Sequence, residues 1–225
     1  MWRASITKSH CYKKYALLSK LSKVGVKMAK VIGLTGGIAT GKSTVSRILK
    51  DKGFCIVDAD VASRKAVEKG SVGLQRVKEV FGEEAIVDGE MNRQYVGSIV
   101  FKDQTMRKKL NNIIHPIVRT IIDKEKEEAL SNGKNVIMDI PLLFENKLQN
   151  TVDETWLVYT NQETQIQRLK ERNQLSDEEA EARIQSQIPI DEKKTLADCI
   201  IDNNGTLNDL RHNINDLLKS KALNL

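Results

Sequence analysis

Residues 36–43 read Gly36-Gly37-Ile38-Ala39-Thr40-Gly41-Lys42-Ser43 and fit the pattern G-x-x-x-x-G-K-[ST]. The apolar run Val31–Leu34 precedes this stretch, and a helical pattern follows it from Ser43 to Lys50. Glycines let the backbone fold tightly around an anion, and the exposed N–H groups and the helix N-terminus attract phosphate. The stretch therefore predicts a strand, a phosphate-binding loop and a helix in direct succession.

Two side chains of this loop have expected roles. In the pattern, the lysine Lys42 reaches the β- and γ-phosphates of a nucleotide, and the hydroxyl of Ser43 ligates Mg²⁺. The alternative is a glycine-rich turn with an exposed lysine, and the flanking strand and helix patterns argue against it. The residues predicted to bind ATP in this stretch are Gly36, Gly37, Ala39, Thr40, Gly41, Lys42, Ser43 and Thr44.

Further β-type runs lie downstream and alternate with helical patterns. Parallel strands need a crossover connection, usually a helix, so this alternation predicts βαβ units. We predict an α/β fold with a mostly parallel sheet of five strands flanked by helices. The five runs are Val31–Leu34, Cys55–Val57, Val136–Met138, Trp156–Tyr159 and Cys199–Ile201.

Two long spans separate these strands. Residues 61–134 contain several helical patterns, with a predicted turn at Asp88-Gly89 and a predicted kink at Pro116. Residues 161–197 contain helices with clear start signals, among them Asn161 as a cap. We expect the second span to form a lid.

The lid span carries three arginines. Arg168 and Arg172 lie four residues apart on one helical pattern and share a face, and Arg183 follows on the next helix, after the capping box Ser176–Glu179. A closing lid in this place would neutralise charge on a transferred phosphoryl group and exclude water. The alternative is that these arginines are solvated.

Polar side chains follow the second strand, where ligands bind in an open parallel sheet. Asp58 and Asp60 are two residues apart, so in an extended segment their carboxylates point to the same side. One of them can then accept the proton of an acceptor hydroxyl. Arg64, on the following helix, could hold that carboxylate or the acceptor. The alternative is that Asp60 caps the helix and pairs with Arg64 on the surface.

Asp139 ends the third predicted strand, where a Walker-B-type carboxylate would lie. Mg²⁺ in such sites keeps several waters and relies on the phosphates, so it needs no dedicated carboxylate cage. Asp139 and Ser43 are the candidate metal ligands. The alternative is an ordinary capping aspartate at a strand end.

Charge is unevenly distributed along the chain. The net charge is +6, but residues 1–27 contain seven Lys and Arg residues and no acid, so residues 28–225 carry a slight excess of acid. This argues against a general nucleic-acid binder. We expect the fold to begin at about Met28 and residues 1–27 to be a basic extension outside it. That extension is sequence upstream of the natural start, a mitochondrial-type presequence or, least expected, a nucleic-acid arm.

The remaining composition argues against membrane and metal-centred classes. No apolar run approaches the length needed to cross a bilayer. The three cysteines and three histidines have no metal-ligand spacing, and Cys55 and Cys199 fall inside strand patterns. We expect a cytoplasmic protein without a nucleic-acid or membrane partner, and the sequence says nothing of its oligomeric state.

Several segments together resemble the dephospho-CoA kinase family, over residues 30 to about 219. The chain departs from the family pattern in two places. Thr40 lies where the family more often has Ser or another small residue, and the basic residues 1–27 have no counterpart in the pattern. The matching segments are Leu34–Thr44, Asp58-Ala59-Asp60 with Arg64, His115-Pro116, Pro141–Glu145, Gln165–Arg168, Arg172-Asn173, Glu178–Arg183 with Gln187, and Ile201–Gly205.

This resemblance implies a P-loop kinase core with a helical acceptor-binding insert at about residues 61–134 and a lid at about residues 161–197. It implies ATP as donor, Mg²⁺ as the accompanying ion, and phosphorylation of the ribose 3′-hydroxyl of dephospho-CoA, the last step of coenzyme A synthesis. It also implies roles for individual residues. Asp60 would be the base, Lys42 and Arg168 would hold the phosphates, Asn203 would approach the adenine, and His115 and Leu142 would face the coenzyme.

Two rival functions remain open at this point. One is another small-metabolite kinase on the same fold, because the shape of the pocket decides the acceptor. The other is a regulatory module that binds ATP without transferring its phosphate. Asp60 and the lid arginines distinguish a kinase from the second rival, since a protein that only binds ATP does not need them.

Overall fold

The computed structural model describes residues 29–223, so the expectation about residues 1–27 lies outside the described part. Two short 3₁₀ turns, Glu83–Ala85 and Gln149–Thr151, accompany the regular elements. In chain order these elements are β1 Val31–Gly36, α1 Lys42–Asp51, β2 Cys55–Asp58, α2 Ala59–Ala66, α3 Val72–Phe81, β3 Ile86–Val87, β4 Glu90–Met91, α4 Arg93–Lys102, α5 Gln104–Ser131, β5 Val136–Asp139, β6 Glu154–Tyr159, α6 Gln162–Asn173, α7 Asp177–Gln185, α8 Ile190–Leu196, β7 Cys199–Asp202 and α9 Leu207–Ser220.

A parallel sheet of five strands forms the centre of the described residues, in the order β2-β5-β1-β6-β7. All five strands predicted from the sequence are confirmed, and so is the α/β class. β1 is the central strand, so the loop at residues 36–43 leaves the middle of the sheet. The carboxyl ends of β5 and β2 lie on one side of it and those of β6 and β7 on the other.

The main core packs the sheet against α1 and α9. Ile32 and Leu34 on β1 are fully buried, because a parallel sheet covered by helices on both faces leaves no solvent-facing side. Trp156 on β6 meets Phe54 edge to face, with ring centroids 6.4 Å apart. This rigid base supports both ends of the phosphate-binding loop.

The span at residues 61–134 forms helices α2 to α5 with a small hydrophobic core of its own. Val77, Phe81 and Val96 are buried in that core. The hairpin of β3 and β4 in this span was not predicted, although its turn was: Asp88 and Gly89 have φ of 53° and 81°, as the tight hairpin turn requires. Helix α5 continues through Pro116 and does not end there.

Residues 161–197 form α6, α7 and α8, as the start signals predict. Asn161 caps α6 by accepting a hydrogen bond of 2.8 Å from the N–H of Thr164. Ser176 and Glu179 form the predicted capping box. Leu169, on α6, is buried against α7. The functional boundaries of the acceptor and lid spans stay predictions.

Among residues 29–223, no helix is both long enough and apolar enough to span a bilayer.

Candidate active site

A cavity of about 430 Å³ opens over the loop at the carboxyl end of β1. The loop turns sharply, because Ala39 and Gly41 have φ of 60° and 86°. A Cβ atom at Gly41 would lie 2.3 Å from Nδ2 of Asn203, so this position requires glycine for space as well as for its backbone conformation. The cavity is lined by Gly36, Gly37, Ile38, Ala39, Thr40, Gly41, Lys42, Ser43, Pro141, Arg168, Arg172 and Gln187.

Three amide side chains from other elements hold the backbone of the loop. Nδ2 of Asn203, after β7, donates a hydrogen bond of 2.8 Å to the carbonyl of Thr40. Nε2 of Gln165, on α6, donates one of 2.7 Å to the carbonyl of Ile38, and the N–H of Ile38 donates to Oε1 of Gln187 at 3.0 Å. The protein thus binds two loop carbonyls and the N–H of Ile38, and other N–H groups of the loop can face an anion.

Thr40 fits this packing, although the family pattern more often has Ser or another small residue at this position. Its side chain is fully buried, and its hydroxyl donates a hydrogen bond of 2.9 Å to the carbonyl of Gly37. A serine hydroxyl could make the same bond, so threonine adds only a methyl group, which is buried and does not narrow the cavity mouth.

Lys42 and Asp139 meet directly below the loop. The Lys42 ammonium pairs with Oδ1 of Asp139, and the hydroxyl of Ser46 donates a hydrogen bond of 2.6 Å to Oδ2. Asp139 is buried, and both of its oxygens contact side chains of α1. It therefore joins the end of β5 to α1 and does not act as an ordinary cap. Lys42 still lines the cavity, where a phosphate would compete for its ammonium.

The donor set at the loop fits a divalent cation. Ser43 is exposed at the start of α1. Its neighbour Lys42, on the same helix, pairs with the carboxylate of Asp139 at the end of β5. Within residues 29–223, no group of three or more His, Cys, Asp or Glu side chains could hold an ion on its own. A bound ion would therefore take its remaining ligands from nucleotide phosphates and water, as Mg²⁺ commonly does.

The structure brings two of the three lid arginines to the cavity. Arg168 and Arg172 line it from one face of α6. Nη2 of Arg168 donates a hydrogen bond of 2.9 Å to the carbonyl of Asn203, which orients its guanidinium toward Gly41. Arg183 lies exposed on α7 and does not line the cavity.

The expected geometry at Asp58 and Asp60 is wrong. The two residues do not share an extended segment, because α2 begins at Ala59. Asp58 caps this helix and accepts hydrogen bonds from the N–H groups of Asp60 and Val61. The alternative that Asp60 is the cap is therefore also wrong, and Arg64 donates through Nε to the backbone carbonyl of Asp60 at 3.3 Å. The Asp60 carboxylate is exposed and has no hydrogen-bond partner among the described residues.

The register of the sheet shows how far Asp58 lies from the strand that leads into the loop. Asp58 lies opposite Asp139 on the neighbouring strand, and Asp139 lies opposite Leu34 on β1. Adjacent strands are about 4.8 Å apart, so Asp58 is roughly 10 Å from β1 at the same edge of the sheet. An acceptor bound between β2 and the loop would meet the Asp60 carboxylate of α2 on one side and the phosphates on the other.

His115 and Leu142 do not line the loop cavity. His115 is exposed on α5, and Leu142 is 39% exposed in the turn that follows β5. Pro141, beside Leu142, does line the cavity. The roles of His115 and Leu142 toward the coenzyme stay predictions.

Lys193 is a residue at this site that the sequence reasoning missed. It lies on α8 with no solvent exposure, and its ammonium pairs with Glu145 at 2.6 Å beside the carbonyl of Gly36. A signal was present in the chain, because Lys193 falls three residues after the buried Ile190 and so on the apolar face of its helix.

Comparisons with known proteins agree with this geometry. The sequence profile described as dephospho-CoA kinase matches residues 30–209. The chain is 61% identical over 196 residues to a dephospho-CoA kinase of Staphylococcus epidermidis, covering 87% of this chain and 97% of the relative. It is 63% identical over 192 residues to one of Staphylococcus saprophyticus, covering 85% and 93%.

A solved structure agrees as well. Dephospho-CoA kinase from Campylobacter jejuni superposes with a TM-score of 0.65 at 30% identity, covering 85% of this chain and 96% of that one. Fold, loop and sequence thus lead to one conclusion. The chain belongs to the dephospho-CoA kinase family, the ATP-dependent transferases of the last step of coenzyme A biosynthesis.

Proposed function

We propose that this chain binds Mg²⁺-ATP over the loop at residues 36–43 and transfers its γ-phosphate to the ribose 3′-hydroxyl of dephospho-CoA, with Asp60 facing that hydroxyl. The observation that carries the proposal is the convergence of Lys42, Arg168 and Arg172 on one cavity. Three cations around a loop that offers N–H groups suit a triphosphate.

The donor half of the site follows from the loop. Its N–H groups and the N-terminus of α1 hold the β- and γ-phosphates, and Lys42 exchanges its contact with Asp139 for a phosphate oxygen. Ser43 and Asp139 are the residues that would hold Mg²⁺, which neutralises charge between the phosphates when bound. Asn203 supports the loop through Thr40, and we expect its neighbours to approach the adenine.

The acceptor half lies toward β2 and α2. Asp58 is occupied as the cap of α2, whereas the Asp60 carboxylate is exposed and without a hydrogen-bond partner in the described residues. Asp60 is therefore the residue of the pair that can align an incoming hydroxyl. Arg64, held at the Asp60 carbonyl, would contact an anionic part of the acceptor, and His115 and Leu142 would line its path.

The reaction is a displacement at phosphorus. The 3′-oxygen attacks the γ-phosphorus, the bond from that phosphorus to the β–γ bridging oxygen breaks, and ADP leaves with the electron pair. In a loose phosphoryl-transfer transition state the hydroxyl proton leaves late, so Asp60 chiefly aligns the nucleophile and then takes the proton. Lys42, Arg168 and Arg172 stabilise the charge that spreads over the transferred phosphoryl group.

Helices α6 and α7 serve as the lid in this proposal. Arg168 and Arg172 stand on the wall of the cavity, so a small inward movement of α6 would bring both onto the phosphates and exclude water. We further propose that the enzyme acts in the cytoplasm on small molecules, without nucleic acid or membrane as a partner.

The test is a coupled assay of ADP release with Mg²⁺-ATP and alternative acceptors. Dephospho-CoA, adenosine, AMP and shikimate are compared at equal concentration on the full chain. Turnover confined to dephospho-CoA supports the proposal. Slow ADP release that is indifferent to every acceptor contradicts it and leaves a module that binds ATP without transfer.

A further inference from the structure

Lys193 is unusual because its side chain is fully buried beside the phosphate-binding loop. The next residue on α8, Lys194, is exposed, with its ammonium 4.5 Å from the centroid of the Tyr159 ring. Burying a charged group is costly unless it is paired and hydrogen-bonded. The position of Lys193 therefore needs an explanation that its neighbour does not.

The Lys193 ammonium joins three separate segments. It lies 2.6 Å from Oε1 of Glu145, in the turn after β5. It also donates to the carbonyl of Gly36, at the end of β1, at a distance of 3.4 Å. Both side-chain oxygens of Glu145 are buried without a hydrogen bond among the described residues, so its contact with Lys193 is an ion pair and not a directed hydrogen bond. The pair thus connects α8, the turn after β5 and the first glycine of the loop.

The carbonyl of Gly36 matters for anion binding. Gly36 is the last residue of β1 and the first of the loop, and it lines the cavity, whereas Lys193 does not. A carbonyl oxygen bound to a buried ammonium faces the protein interior. The same oxygen turned toward the cavity would repel phosphate and rotate the following N–H group away from it.

We propose that Lys193 and Glu145 form a positioning pair that fixes the Gly36 peptide for ATP binding. Glu145 holds the ammonium in place and balances its charge, and Lys193 holds the carbonyl. The proposal deepens the function above and rests on it, because it assigns the pair to the donor half of that site. Neither residue touches a phosphate.

A purely structural ion pair is the alternative, and the two ideas differ in what a compensated replacement does. Removing one partner of a buried pair leaves an unpaired charge and destabilises the fold strongly, whereas replacing both is often neutral. If the pair only supports the fold, a stable double variant should bind ATP normally. If it positions Gly36, the double variant should be stable and still bind ATP weakly.

The experiment uses the full chain with Lys193→Met, the double variant Lys193→Met with Glu145→Gln, and Lys194→Met as a matched control on the same helix. Urea unfolding measures stability. Calorimetry with Mg²⁺ and the β,γ-imido analogue of ATP measures donor affinity. Steady-state rates separate kcat, KM for ATP and KM for dephospho-CoA.

We expect the single variant to unfold at lower urea than the double variant. We expect the double variant to bind the analogue roughly ten-fold more weakly than the wild type, as the loss of one charged hydrogen bond implies. Its kcat falls as well, while KM for dephospho-CoA stays within about two-fold and the Lys194→Met control matches the wild type.

Two outcomes contradict the proposal: a folded double variant that binds the analogue as the wild type does, or a double variant that cannot fold. The function itself is judged separately on the wild type. If the wild type fails to phosphorylate dephospho-CoA, the function is wrong, while the affinity for the ATP analogue still tests the pair.

Discussion

The side-chain amide of Asn203 donates a hydrogen bond of 2.8 Å to the backbone carbonyl of Thr40, in the middle of the phosphate-binding loop. The backbone carbonyl of Asn203 in turn accepts a hydrogen bond of 2.9 Å from Arg168. The residue after the last strand therefore connects the loop to the lid helix. A change at Asn203 should reach the donor site without touching a phosphate.

Replacing Asn203 with Ala removes the bond to Thr40 and leaves the backbone carbonyl for Arg168. We expect a loss of about 1 kcal/mol in the free energy of ATP binding, which is the net contribution of a typical hydrogen bond. Calorimetric titration with the ATP analogue measures it. Asn208→Ala, at an exposed position of α9, is the control, and equal affinities for the two variants would contradict this role of Asn203.

Gly41→Ala should damage the same contact more severely. The backbone at Gly41 has φ of 86°, and the added Cβ would lie 2.3 Å from Nδ2 of Asn203. The Asn203 amide must move and lose its bond to Thr40, or the loop must shift. The strain of an αL alanine adds about 1–2 kcal/mol, so we expect ATP affinity to fall by more than about ten-fold. Gly97→Ala on α4 is the matched control, because a Cβ there meets nothing within 4 Å. Comparable affinity in both variants would rule out the steric account.

Asp60→Asn tests the acceptor side. The substitution keeps the shape and removes the negative charge, so we expect turnover with dephospho-CoA to fall by roughly 10²–10⁴-fold, as for loss of a general base, with ATP affinity unchanged. Asp58→Asn is the comparison, since asparagine caps a helix about as well as aspartate. If Asp58→Asn loses turnover and Asp60→Asn keeps it, the hydroxyl faces Asp58 and the assignment is wrong.

The sequence predicted those features that depend on short, local patterns. The loop and its flanking strand and helix followed from residues 36–43, and the caps at Asn161 and Ser176 followed from side chains that satisfy the first turn of a helix. The turn at Asp88-Gly89 was predicted from another local signal, because an Asp-Gly pair favours the positive φ angles of a tight turn. Its hairpin was missed, because strands of two residues are too short to show an alternating pattern.

Features that depend on tertiary packing were not predictable from local pattern. Asp58 and Asp60 were expected in one extended segment, but α2 begins between them because Asp58 caps it. Lys193 was not singled out from the sequence, because it is adjacent to Lys194 on the same helix and only the fold shows that Lys193 is buried against Glu145 while Lys194 is exposed. A carboxylate 48 positions earlier in the chain cannot be paired with a lysine from spacing alone.

The contacts of Glu154, at the end of the sheet opposite the phosphate-binding loop, predict how the stability of the fold changes in acid. Glu154, at the start of β6, is buried; Cys199 donates to its Oε1 at 3.0 Å, and the ammonium of Lys221 contacts the same oxygen. Burial alone would raise the pKa of Glu154, but the hydrogen bonds from Cys199 and Lys221 outweigh it and lower the pKa from 4.5 to about 2. The ionised carboxylate therefore stabilises the fold above about pH 4.5 and loses this effect as the pH falls toward 2.

The size of this effect follows from linkage and amounts to about 3 kcal/mol at neutral pH. Urea unfolding of the wild type and of Glu154→Gln at pH 7 and at pH 3 measures it. We expect the wild type to be the more stable at pH 7, and the difference to shrink by about half at pH 3. A difference that does not change between the two pH values would mean that the carboxylate has the same pKa in the folded and unfolded chain.

The central claim is that the γ-phosphate of ATP moves to the 3′-hydroxyl of dephospho-CoA. The most direct measurement follows ³²P from γ-labelled ATP into product, with dephospho-CoA and its 3′-deoxy analogue as parallel acceptors, and locates the new ester by ³¹P NMR. The account predicts label in a 3′-monoester from dephospho-CoA and none from the analogue. Label transferred equally to both acceptors, or released only as inorganic phosphate, would contradict it.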